Sequence, residues 1–385
     1  MRKIIGYKNS NILTEEGIIK TNIVIKDDII YNIGNMIVDG MITLSDDLII
    51  VPGFIDQHMH GCCGYEVMNG TKHAITKIAE GIKSEGVTSF VATTSTNSIE
   101  CIDKSLNAIS EFIQDDNKEL PELLGVHLEG PFISKIYRGA HLEEYIIKPN
   151  VSVMKHFIES SNKSIKIVAY APEEDENYKF LEYIDKNKII ASIGHSNETY
   201  NSISNLIKKG LKSVTHTYNA QKPIHHREVG VVGASLLFDE LYTELICDGV
   251  HVSKEAVRLL VKNKPIDKIV LVTDSLSVKG LVDGIYQEID QIIYMINQEP
   301  RLEDGTLAGS TLKMNQAIKN LIDFTNISFS DAIKCATENP AKLLNIFDKI
   351  GSIKVGKLAN FAVVDKDLNV YQTVRCGRII FEKEK

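Results

Sequence analysis

The sequence predicts an α/β protein: a (β/α)8 TIM-type barrel carrying a small β-sandwich domain built from both termini. Three observations predict it. Eight short β-branched apolar runs alternate with longer amphipathic stretches through the middle of the chain. Five of those runs carry a histidine or a carboxylate at or just beyond their ends, the pattern of a barrel whose functional groups stand at the C-terminal ends of its strands. The two flanks, residues 1–47 and 348–385, show short alternating runs with no helical period.

In chain order the runs are LIIVPGFID (48–56), VTSFVAT (87–93), ELLGVHLE (122–129), IKIVAYAP (165–172), IIASIGH (189–195), KSVTHTY (212–218), TELICDG (243–249) and KIVLVTD (268–274). Helix-like stretches at 71–85, 98–116, 175–186, 197–209 and 253–263 separate most of them. A doubly wound open sheet would alternate in the same way, but it would open with a glycine-rich turn after its first strand, and none stands there. The expected domains are therefore 1–50 with 348–385 as the small β domain and 51–347 as the barrel. Between Asp274 and a helix-like stretch at 311–323 lies a β-like insertion ending in DGTLAGS, expected to form a loop over the barrel mouth.

Composition sets the class. The chain is 43% hydrophobic and 24% charged, ordinary for a globular protein, and its formal charge of −8 argues against a general nucleic-acid surface. It has no run of about twenty apolar residues, so no membrane span is expected. The start, MRKIIGYKNSNIL, has too short an apolar stretch for a signal peptide. Six cysteines without a CxxC spacing point to reduced thiols and a cytoplasmic location. Cys62 and Cys63 follow a histidine pair and are conceivable ligands, although strand neighbours face opposite ways.

That histidine pair, His58 and His60 in FIDQHMHG, sits at i and i+2, so both imidazoles face one side of an extended segment. The third run ends in Glu129, the fifth in His195, the sixth carries His216, and the eighth ends in Asp274. Four histidines and two carboxylates thus converge on one rim. Nitrogen and oxygen donors in this mix suit Zn or Fe better than Ca or Mg. His127 shares a strand face with Glu129, as a support or a structural group. His73 and His156 lie in helix-like stretches as surface residues.

The segments PGFIDQHMHG, GVHLEGPF, RGAHLEEY, IGHSNETY, THTYNA, CDGVHVS, LVTDS and GTLAGS, in this order, resemble the N-acetylglucosamine-6-phosphate deacetylase family of the amidohydrolase superfamily. The resemblance runs nearly end to end. It implies one divalent metal held by Glu129, His195 and His216, and permits a second held by His58 and His60 with Glu129 bridging. It implies Asp274 as general base and acid, the metal and His141 as stabilisers of the oxyanion, and Ala140 with His141 against the sugar. Asn219, Ala220, Arg227, Asp248 and His251 would bind the phosphorylated substrate, and Leu307, Ala308 and Gly309 would close over the sugar. It further implies a small-molecule substrate and a homodimer. Arg227 and His251, both expected on loops at the barrel mouth, are in turn expected to reach into the partner's active site. Two departures bear on the pocket: Gln221 stands where the family usually has methionine, and KPIHHREVG carries the extra His225 and His226. Rival readings are the galacto epimer, another amidohydrolase substrate, and a non-catalytic scaffold, which bound metal would exclude.

Overall fold

The protein is described by a computed structural model covering residues 4–384. Eight parallel strands form the barrel: β1 (Phe54–Met59), β2 (Val87–Thr94), β3 (Glu122–Glu129), β4 (Ile165–Tyr170), β5 (Ile190–Ile193), β6 (Leu211–Val214), β7 (Tyr242–Ile246) and β8 (Ile269–Val272). Each pairs with the next in chain order. Every residue of β1, β2, β5 and β8 is buried, which is why these runs show no alternation of apolar and exposed polar residues. At the seam between β8 and β1, Asp274 donates its backbone N–H to the His58 carbonyl at 2.8 Å. The Asp56 carboxylate spans the same seam, accepting from the Thr273 hydroxyl at 2.6 Å.

A helix follows each strand, and the amphipathic stretches explain most of them. Lys72–Ile82 buries Ala74, Ile75, Ile78, Ala79 and Ile82, a single stripe at helical spacing, and Thr71 caps it by accepting from the Ala74 N–H. Ser98, Asn150, Thr199 and Ser253 cap the helices Ile99–Asp115, Val151–Ser160, Tyr200–Lys208 and Lys254–Asn263 in the same way. The helix Gly230–Leu237 after β6 gave no periodic signal. Its sequence GVVGASLL is apolar all round, and all of it but Leu237 is buried, so there is no polar face to mark the period.

At the N-terminal end of the barrel, Ile55, Val91, Ile167 and Ile190 pack with Ala341, Leu343, Leu344 and Ile350. This plug leaves the C-terminal end as the open mouth. The first apolar run is not one strand. It breaks at Gly53: Ile49–Pro52 pairs with Phe361–Val364 and with Asn11–Ile12, while β1 begins the barrel. A side chain at Gly53 would drive its Cβ to 2.3 Å from the Thr88 hydroxyl. Residue 51, the expected start of the barrel, therefore lies within a strand of the terminal sheet.

That sheet joins strands from both ends of the chain, with Ile4–Thr14, Gly17–Lys26 and Ile29–Gly34 on one side and Phe361–Val364, Val370–Arg375 and Arg378–Glu382 on the other. Tyr7 donates to Gln372 at 2.9 Å although their strands are three positions apart in the sheet. Side chains stand off a flat sheet, so this bond requires the sheet to curl over its own core of Ile12, Ile23, Ile50, Phe361 and Val374. The insertion after β8 forms a separate three-stranded sheet, Gly284–Gln287, Ile292–Ile296 and Glu299–Arg301, beside the mouth as expected.

Candidate active site

His58 lies in β1 and His60 one residue past it, Glu129 ends β3, and His195, His216 and Asp274 each lie two residues past β5, β6 and β8. The last three adopt left-handed backbone, φ +48°, +29° and +49°. Such a conformation costs an L-residue about 1–2 kcal/mol. Backbone bonds on either side hold it: Thr217 N–H to the Glu244 carbonyl at 2.9 Å, Asp274 N–H to His58, and Ser310 N–H to the Asp274 carbonyl at 2.7 Å. Three strained residues at strand ends, each carrying a chemically active side chain, mark this rim as the functional end.

All of these side chains meet at Glu129. Its Oε1 is 2.9 Å from His216 Nε2 and 3.3 Å from His195 Nε2, and those two nitrogens are 3.0 Å apart. Its Oε2 is 3.1 Å from His60 Nε2 and 3.5 Å from His58 Nε2. Asp274 Oδ1 joins that second group at 3.1 Å from His60 and 3.4 Å from His58. The carboxylate of Glu129 thus presents one oxygen to each of two donor sets.

The outer nitrogens show what belongs in the gaps. His58 Nδ1 faces Glu244 Oε2 at 3.0 Å, and His195 Nδ1 faces the Tyr137 carbonyl at 2.8 Å. Both partners only accept, so both Nδ1 atoms carry a proton, and in the neutral imidazoles, the form that binds a metal, both Nε2 atoms present lone pairs. These lone pairs point at carboxylate oxygens, and buried His58 Nε2 has no hydrogen-bond partner. Lone pair against lone pair in a buried site is repulsive unless a cation lies between them. The donor set fits a metal ion.

The ionisation pattern expresses the same field. Burial alone would lower the His58 imidazole, but Glu129, Asp274 and Glu244 outweigh it and hold it well above its ordinary range. Against the same burial, bonds to Asp274 and Glu129 raise His60 to about 9. Burial would raise Glu129 and Asp274, yet the imidazoles, His58 foremost, hold both well below the usual carboxylate range. His141 is different: burial, then the nearby His195, lowers it to about 3, so it is neutral. Its Nδ1 accepts from the Thr96 N–H at 3.3 Å, which leaves Nε2–H directed to the cavity side, 3.8 Å from Glu129.

A cavity of about 390 Å3 opens over this cluster, a size suited to a small ligand. Of the residues expected to bind substrate, it is lined by Ala140, His141, Asn219, Ala220, His251, Leu307, Ala308 and Gly309. The insertion sheet adds Glu288, Gln291 and Ile293 to its wall, so it covers the mouth. His251 lines the cavity of its own chain. Asp248 does not: its Oδ1 accepts from the Val250 and His251 N–H groups, and its Oδ2 bonds His251 Nδ1 at 2.6 Å. Through these bonds Asp248 orients His251. Burial would lower the His251 imidazole, but Asp248 outweighs it and raises it.

Arg227 lies outside this cavity. It is exposed, with Nη1 2.7 Å from His226 Nε2, and His226 stacks near His225 on the same surface loop. Cys62 and Cys63 also stay apart from the cluster, each sulfur closest to the other. His127 is a support: its Nδ1 bonds the Gln57 carbonyl at 3.2 Å, its ring edge meets His58, and burial lowers it to about 4. His73 and His156 are exposed.

One residue escaped the sequence reading altogether. Glu244 in β7 is fully buried, bonds His58 Nδ1, accepts from the His216 N–H at 3.2 Å and takes Gln57 Nε2 at 2.8 Å. The available signal was a charged residue inside an apolar strand, since such residues are buried only when paired. The Tyr137 carbonyl, which holds His195, carried no signal, because any residue supplies one.

A (β/α)8 barrel with imidazoles and carboxylates gathered on cation-fitting gaps at its C-terminal rim defines a metallohydrolase-type enzyme. A profile of the amidohydrolase family matches residues 49–380. The N-acetylglucosamine-6-phosphate deacetylase of Bacillus subtilis (strain 168) is 40% identical over 337 residues, 87% of this chain and 85% of that protein. The N-acetylgalactosamine-6-phosphate deacetylase of Escherichia coli O157:H7 is 32% identical over 362 residues, 94% and 95% of the two chains. The crystal structure of N-acetylglucosamine-6-phosphate deacetylase from Thermotoga maritima is 37% identical and superposes with a TM-score of 0.89 over 98% of this chain and 100% of that one. The chain belongs to the amidohydrolase family and, within it, to the N-acetylglucosamine-6-phosphate deacetylase family.

Proposed function

We propose that the chain hydrolyses the acetamide of N-acetyl-D-glucosamine 6-phosphate to D-glucosamine 6-phosphate and acetate, in amino-sugar breakdown. The observation that carries this reading is the pair of donor sets on the two oxygens of Glu129, in a family whose relatives bear that activity in their names. Divalent ions, Zn or Fe, one or two per subunit, would be held by Glu129, His195 and His216 and by His58 and His60. When bound, such an ion polarises a carbonyl and lowers the pKa of water to roughly 7.

The remaining steps fall to the chain. Asp274, held as a carboxylate, takes the proton of the attacking water and passes it to the departing sugar amine. Neutral His141 donates its Nε2–H to the oxyanion. Leu307, Ala308 and Gly309 close over the sugar, and Ala140 and His141, in the same cavity lining, touch it. His251, its imidazole raised by Asp248, attracts the phosphate beside Asn219 and Ala220.

Arg227 completes the phosphate site from the neighbouring subunit of a homodimer, a reading supported by its exposure and its distance from its own cavity. The protein works in the cytoplasm: its six cysteines are free thiols, and among the described residues no helix is long and apolar enough to cross a membrane.

The test is release of amine and acetate from N-acetylglucosamine 6-phosphate with metal content measured on the same sample. Metal-dependent turnover is expected, and full activity after thorough chelation would reject the reading. The galacto epimer is the second substrate to assay, because a relative of that name covers nearly the whole chain. A hydrogen bond to a charged group is worth about 1.5–3 kcal/mol, so Arg227→Ala should lower kcat/KM by about 10- to 150-fold. Mixing Arg227→Ala with Asp274→Asn subunits should restore activity if the arginine acts across the dimer. Activity that stays low would place it within its own subunit.

A further inference from the structure

Directly after His60 the chain forms a two-stranded hairpin, Gly61–Cys62 against Tyr65–Glu66. Cys62 is buried and Cys63, in left-handed backbone at φ +55°, is exposed. The hairpin is pinned: Cys63 N–H bonds the Lys279 carbonyl at 2.8 Å and Gly64 N–H bonds the Ser277 carbonyl at 2.7 Å. Neighbouring side chains in a strand diverge, yet here the turn at Cys63 brings the two Sγ atoms to 3.3 Å. Helix Lys72–Ile82 leaves room for them. A Cβ at Gly81 would lie 2.7 Å from Cys62 Sγ and 2.9 Å from Cys63 Sγ. Glycine inside a helix costs roughly 1 kcal/mol relative to alanine. The sulfur pair is the physical reason that glycine is needed there.

We propose that Cys62 and Cys63 form a dithiol site for a soft, three-coordinate ligand of the trivalent arsenical class, separate from the hydrolytic site. The bite distance selects the class. Two bonds of about 2.3 Å, the usual metal–thiolate length, span roughly 3.3 Å when they meet near 90°, as at a pyramidal centre, but about 3.8 Å at a tetrahedral one. A disulfide suits the pair less well. Adjacent Cα atoms are about 3.8 Å apart across a trans peptide, below the usual range of about 4.4–6.8 Å for bridged cysteines. With phenylarsine oxide the step balances without oxidation: two As–S bonds form, the As–O bond is lost, and the two thiol protons leave with the oxide oxygen as one water.

The experiment treats the intact, metal-loaded protein with phenylarsine oxide and reads the adduct by mass spectrometry. One adduct per chain is expected that survives excess 2-mercaptoethanol and is removed by 2,3-dimercaptopropanol, because only a dithiol competes with a chelate. Cys63→Ser, at an exposed position, should reduce the monothiol-resistant adduct to background, whereas Cys101→Ser should leave it intact. The proposal is overturned if the unaltered protein gives no monothiol-resistant adduct, if it closes to a disulfide instead, or if the adduct persists in Cys63→Ser.

Discussion

The two oxygens of Glu129 face unlike surroundings. Oε1 meets only imidazole nitrogens, those of His195 and His216. Oε2 shares its space with the carboxylate of Asp274, and His58 on that side leans on a third carboxylate, Glu244. The carboxylate-rich side therefore attracts any cation, and without a metal it traps protons, as the raised His58 and His60 show. An ion bound on the Oε2 side would have to displace those protons, which makes its binding sensitive to pH. The two halves use the same ligand types and differ in how much negative charge stands behind them.

The largest effect should come from the carboxylate that only the Oε2 side possesses. Asp274→Asn removes the proton acceptor, and general acid–base catalysis contributes about 10²–10⁴-fold, so turnover should fall by at least that range while metal content stays nearly unchanged. Near-normal turnover in steady-state assays would take the catalytic role away from Asp274. The His58→Ala/His60→Ala double variant should lose one metal equivalent by elemental analysis and retain part of its turnover through the ion beside His195 and His216. Unchanged stoichiometry would abolish the distinction between the two sides.

A finer test bears on Glu244. Outer partners of ligand histidines typically matter by about 10–100-fold in metal affinity, so Glu244→Gln should weaken only the His58-side ion by that factor in chelator competition. Equal weakening of both ions would make Glu244 a general support of the barrel. The smallest effect is a pH dependence of the metal-free protein. His60 rises from 6.5 to about 9 on folding, so its contribution to stability is fully present below pH 6.5 and lost as pH rises through about 9. The melting temperature should fall by a few degrees across that window without metal and change less with metal bound. A flat metal-free profile would show that the histidines hold no trapped protons.

Much of this molecule was legible in the chain because local order and side-chain type carried it. The eight runs, the strand-end positions of His58, His60, Glu129, His195, His216 and Asp274, and the β-rich flanks follow from period and spacing, which need only neighbouring residues. Gly53 shows the limit of that method: one apolar run serves two sheets, and only the close approach of Thr88 reveals where it divides. The helix Gly230–Leu237 was hidden for a related reason, since total burial erases the polar face that period depends on.

The sequence by itself determined which donors stand at the ends of which strands, and with them the class of chemistry at the barrel mouth. Only the tertiary structure decided how those donors are partitioned: Oε1 of Glu129 with His195 and His216, Oε2 with His58, His60 and Asp274. It also decided that Glu244 backs His58, that Asp248 serves His251, that Arg227 lies outside its own cavity, and that two adjacent sulfurs meet beside Gly81. The physical reason is distance along the chain. His58 and Glu244 are separated by 186 residues yet share a 3.0 Å bond, and a contact of that kind exists only once the barrel closes β1 to β8.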